Sequence, residues 1–97
     1  MKDEEVLEIL EEAARRLSIK LDYDDLRKGE VNTEGGMFLL KGEKRILIHR
    51  GLSTKDRIDV LSRVLSDVDT EEIHLPPAVR KRLDKARTPA AGNPPIE

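Results

Sequence analysis

From Gly35 to His49 the chain reads GGMFLLKGEKRILIH, two apolar runs placed about a Lys-Gly-Glu-Lys turn. Two short apolar runs joined by a glycine-containing turn form a β-hairpin. With Gly42 and Glu43 as the central turn residues, the strands span 36–41 and 45–50. One face then pairs Leu39 with Ile46 and Met37 with Ile48. The other pairs Phe38 with Leu47, Leu40 with Arg45 and Gly36 with His49. A hairpin that buries one side alternates apolar with polar residues, whereas here both faces are largely apolar. The hairpin must therefore lie between two layers or offer its second face to a partner, and Phe38, Leu40 and Leu47 are the candidate interaction face.

The flanking segments supply one covering layer. Val6, Leu10, Ala13, Ala14 and Leu17 recur at three- and four-residue spacing, which predicts a helix over 2–17 with acids in its first turns and Arg15 and Arg16 in its last. SIKLDY alternates Ile19, Leu21 and Tyr23 with polar residues and predicts a strand over 18–24. Residues 24–34 are rich in turn formers and read as a surface loop. Ser53 followed by Asp56 resembles a capping box and opens a helix over 54–67 that carries Ile58, Val60, Leu61, Val64 and Leu65. EEIHLPP then reads as a short extended piece, and Pro77 opens a third helix over 77–87 with Val79 and Leu83 one turn apart. The last ten residues hold three prolines and read as a disordered tail over 88–97. The expected fold is α+β: a single domain over 1–87 in two layers, a small, mostly antiparallel sheet packed on two main helices, with a third, C-terminal helix at an edge or end.

Composition narrows the chemistry. A chain of 97 residues builds one modest core and no spacious cavity beside it. The absence of cysteine removes disulfides, thiolate metal sites and a cysteine nucleophile, and it suits the cytoplasm. No apolar run approaches the roughly 20 residues that span a bilayer, and the acidic start does not read as an export signal. The net charge of −2 conceals an asymmetry: residues 1–34 hold 6 Lys/Arg against 11 Asp/Glu, while the remainder is mildly basic. One Tyr, one Phe and no Trp leave few platforms for stacking bases.

Several residues are candidates for a site. Gly35-Gly36 lacks phosphate-loop spacing and precedes a strand, so it reads as a bulge or a close approach of two backbones. His49 and His74 form a metal site with a carboxylate if their strands are neighbours; otherwise they sit at strand ends. Ser18, Ser53, Ser62 and Ser66 show no nucleophile elbow, and carboxylate pairs such as Asp24/Asp25 read as solvated surface in so charged a chain. Arg80, Lys81, Arg82, Lys85 and Arg87 on the third helix are candidate phosphate contacts, and the same charges also suit a helix end with no ligand. No residue set implies a cofactor.

The stretch GGMFLLKGEKRILIHRGLSTKDRIDVLSRVL resembles the segment that leads into the active-site helix of ImmA/IrrE-type zinc metallopeptidases. It also resembles small bacterial proteins of about this length with the same hairpin and a PPxVR turn, matched here by Pro76, Pro77 and Arg80. The resemblance implies a zincin-like scaffold. Where that family carries HExxH this chain reads IDVLSRVLSDVD, without His or Glu, so no zinc ligand or general base carries over. The expected function is a non-enzymatic, self-associating interaction module, with a homodimer or another protein as partner. The alternatives are a small enzyme or metal-binding protein using His49 and His74, and a nucleic-acid accessory protein using the basic helix over 79–87.

Overall fold

The computed structural model describes residues 1–26 and 34–91, with side chains as far as residue 86. Three helices and three strands follow in the order α1 (Asp3–Arg16), β1 (Lys20–Asp24), β2 (Gly35–Leu40), β3 (Glu43–His49), α2 (Thr54–Ser66) and α3 (Pro77–Ala91). The fold is α+β.

Helix α1 buries Val6, Leu7, Leu10, Ala13 and Ala14 and keeps its acids in the first turn and its arginines in the last. It stops at Ser18, which takes a left-handed φ of 63°. The Ser18 amide donates to the Arg15 carbonyl and the Ile19 amide to that of Ala14. This pair of bonds is a Schellman closure with serine where glycine is usual. It turns the chain directly into β1 with Ile19 buried. Helix α2 starts on Ser53, whose Oγ accepts from the Asp56 amide at 3.2 Å, as its sequence predicts.

The sheet is mixed, with β3 in the centre. β2 and β3 form the expected antiparallel hairpin, while β1 runs parallel to β3, pairing Leu21 with Ile46 and Tyr23 with Ile48. The hairpin register differs by two residues from the one read off the sequence. Met37 stands opposite Ile46, Phe38 opposite Arg45, Leu39 opposite Lys44 and Leu40 opposite Glu43. The central turn residues are Lys41 and Gly42, both at positive φ (53° and 82°), not Gly42 and Glu43. Turns of this primed kind match the twist of the strands they join. The shift also sets Gly35 opposite Ile48, a close backbone approach that needs glycine.

Helices α1 and α2 pack against each other and against the sheet, and α3 packs on α2 and α1. The core is built from Leu10, Ile46, Ile48, Ile58, Leu61 and Leu65, with Val79 and Leu83 closing it from α3. Residues 71–73 make a turn and a bend, and 71–75 hold no strand. Helix α3 runs four residues past the expected end, through Pro89 to Ala91, while 92–97 lie outside the described residues.

Arg80 ties these parts together. Its guanidinium donates to Thr70 Oγ1 (2.8 Å), the Thr70 carbonyl (3.2 Å) and the Ile73 carbonyl (3.0 Å), pinning the segment over 71–75 to α3. Charged hydrogen bonds of this kind contribute about 2 kcal/mol in total when half-buried. Arg80→Ala is therefore expected to lower Tm by about 10 °C in thermal unfolding followed by circular dichroism, and Arg80→Lys not to restore it, since an ammonium cannot reach three acceptors in one plane.

Candidate functional surface

The two faces of the sheet differ sharply. On the helix side, Ile46 and Ile48 are fully buried, and Leu21 and Tyr23 are half-buried. The Tyr23 hydroxyl donates to the Glu11 carboxylate, and Arg57 lies over its ring at 4.7 Å. Burial, reinforced by the bond to Glu11, raises the Tyr23 phenol well above its usual range. A raised folded-state pKa means the folded chain holds this proton more tightly than the unfolded chain. The stability it contributes is complete below about pH 10 and falls as pH rises further. Tyr23→Phe is expected to flatten this alkaline decline in melts taken between about pH 9 and 11.

Toward the hairpin tip both faces of β2 are open. Because the register is displaced, Leu39 reaches Lys44 instead of Ile46 and is 68% exposed. Met37 is 36% exposed, so the expected burial of Met37 and Leu39 against the helices does not occur. Phe38 and Leu40 are each 43% exposed, and Leu47 is half-buried. Four consecutive large apolar side chains are thus open along one edge strand. The third helix, which could have covered them, is spent on the helical layer.

The two edges of the sheet are built differently. β1 exposes Lys20, Asp22 and Asp24, charges of the kind that discourage pairing with another chain. β2 carries no charge and no proline between Gly35 and Leu40. Beside it, Leu26, Gly36, Phe38 and Leu47 line a shallow hollow of about 290 Å³. Gly36 is part of its lining, and an added Cβ there would meet nothing within 4 Å.

The other candidates have separate settings. His49 is buried at the end of β3, with Nδ1 accepting from the Leu26 amide at 3.1 Å, Asp25 Oδ1 3.8 Å away and Gly51 packed against Nε2. Its imidazole fastens the chain leaving β1 to the end of β3. His74 is exposed, on a groove between α1 and residues 73–76. Among the described residues no group of three or more His, Cys, Asp or Glu is arranged to hold a metal ion. Of the basic run, Arg80 is committed to Thr70 and Ile73, and Lys81 is exposed. Arg82 and Lys85 line a groove of mixed charge with Arg63, Asp59 and Glu34, where Arg63 pairs with Glu34 at 3.4 Å. The side chain of Arg87 lies outside the described residues. The sequence pattern puts Phe38, Leu40 and Leu47 on the outer face, where the register keeps them, but it puts Met37 and Leu39 in the core; the exposure of that pair depends on the register.

No family model, curated protein or solved structure matches the chain. Among the described residues no helix is long and apolar enough to cross a membrane.

Proposed function

We propose that the chain is a non-enzymatic interaction module of the cytoplasm that works by self-association, with β2 as its contact surface and a second copy as its partner. The observation that carries this reading is the run Met37-Phe38-Leu39-Leu40, exposed on an edge strand without charge or proline. Contiguous apolar patches of a few hundred Å² on a monomer are commonly functional. The committed roles of Arg80 and His49 leave less for the nucleic-acid and metal readings to use. The resemblance to zinc metallopeptidases brings no catalytic group to this reading, because IDVLSRVLSDVD holds neither His nor Glu.

A contact built on four exposed side chains is small beside the roughly 20–30 residues per partner of a standard interface, so the dimer should have a micromolar dissociation constant. Sedimentation velocity from about 1 µM to about 1 mM should show the mass rising from 11.0 kDa toward twice that value. A single 11.0 kDa species across that range would defeat the reading.

A further inference from the structure

We infer that the two copies join edge to edge through β2, antiparallel about a two-fold axis at Phe38, so that their sheets become one six-stranded sheet. This inference rests on the self-association reading and specifies its geometry.

The main chain of β2 fixes which groups are on offer. The His49 amide donates to the Glu34 carbonyl at 2.9 Å, so Glu34 turns its polar groups toward β3. Directions alternate along a strand, and Gly36, Phe38 and Leu40 do the same. Met37 and Leu39 therefore aim their N–H and C=O groups at the open edge, and among the described residues these groups have no hydrogen-bond partner. An antiparallel second copy centred on Phe38 sets Met37 opposite the partner's Leu39, and Leu39 opposite the partner's Met37. Each pair exchanges two N–H···O=C bonds, and all four edge-directed N–H groups are satisfied. Centring on Leu39 would bring Met37 against Lys41, whose positive φ has already ended the strand. Centring on Met37 would require Gly35, which already has an interaction of its own.

The side chains agree with this register. On the outer face Phe38 meets the partner's Phe38, and Leu40 comes opposite the partner's Gly36. A large side chain then enters the hollow that the missing side chain of Gly36 leaves beside Leu26 and Leu47. On the helix side Met37 and Leu39 cover each other across the seam. Lys41 falls opposite the partner's Gly35, beside the partner's Glu34, so the charges flanking the apolar run are complementary. The four exposed apolar side chains are all accounted for by one axis.

Four variants test the geometry. Gly36→Val places a branched side chain in the hollow, its Cβ meeting nothing within 4 Å in the monomer, and Leu39→Pro removes an outward N–H while leaving the ladder to β3 intact. Each should retain the monomer's circular dichroism and weaken the dimer at least about tenfold in sedimentation. The chain has no cysteine, so Phe38→Cys places the sole thiol on the axis. There the paired Cα atoms lie about 4.5 Å apart, within disulfide range. Mild oxidation should convert it to a covalent dimer, whereas Leu40→Cys, displaced from the axis, should stay uncrosslinked. If wild type dimerises but Gly36→Val and Leu39→Pro keep its dissociation constant, or Leu40→Cys crosslinks in preference to Phe38→Cys, the edge-to-edge arrangement is wrong and self-association through another geometry stands. A wild type that stays monomeric overturns both.

Discussion

Ile48→Asp is expected to abolish cooperative unfolding, while Leu47→Lys, one residue earlier on the same strand, is expected to leave a folded monomer. Ile48 is fully buried on the helix side of the central strand, opposite Gly35 on one neighbour and Tyr23 on the other. A carboxylate there forfeits about 1.5–3 kcal/mol of apolar burial. It also adds several kcal/mol for a charge without a partner. The sum rivals the roughly 5–15 kcal/mol that holds a domain together. Leu47 points to the other face and is half-buried, with Asp22 opposite it on β1. A lysine at that position faces a carboxylate and can extend into solvent, so Tm should stay within about 4 °C of wild type, roughly 1 kcal/mol for a domain this size. The same lysine intrudes on the apolar hollow and should remove association. Thermal unfolding with sedimentation of both variants decides the matter. If Leu47→Lys unfolds as Ile48→Asp does, the outer face belongs to the monomer's own core and the proposed contact surface is lost.

What could be read from the sequence divides along local and long-range lines. The stripe of α1, the alternation of β1 and the Ser53 cap are local patterns, and they appear where the spacing places them. The hairpin faces were legible for the same reason, since alternation assigns Ile46 and Ile48 to one side and Phe38, Leu40 and Leu47 to the other. Its register was not, because a displacement of two residues leaves every side chain on the same face. The backbone needs of Lys41, Gly42 and Gly35 decide it, and through it the exposure of Met37 and Leu39. The parallel pairing of β1 with β3 depends on contacts distant in sequence, which a local pattern does not encode. The settings of Arg80 and His49 were not legible for a common reason. Both have chemically versatile side chains, and both are held chiefly by main-chain groups, the carbonyls of Thr70 and Ile73 and the amide of Leu26, which no side-chain motif reveals.

The adjacent glycines should give mutational effects of opposite sign. Gly35 has φ +135°, a conformation that L side chains rarely adopt, and a Cβ there would lie 2.2 Å from the Leu47 carbonyl oxygen and 2.9 Å from the Ile48 Cα. Both obstacles are backbone of the central strand, so relief requires β2 to move away from β3 at the point where Ile48 enters the core. The backbone conformation alone costs about 1–3 kcal/mol, and the displaced pairing adds to it. Gly35→Ala should therefore lower Tm by at least about 12 °C, at roughly 4–8 °C per kcal/mol. Gly36 has no such φ, and its added Cβ meets nothing within 4 Å. Gly36→Ala should restrict the unfolded chain more than it strains the folded one, a gain of about 0.4–1 kcal/mol. Melts at about 1 µM, below the expected dissociation constant, keep the comparison on the monomer. Equal losses at the two positions would mean that β2 does not approach β3 as closely at Gly35 as this register requires, and the exposure of Met37 to Leu40 would lose its structural basis.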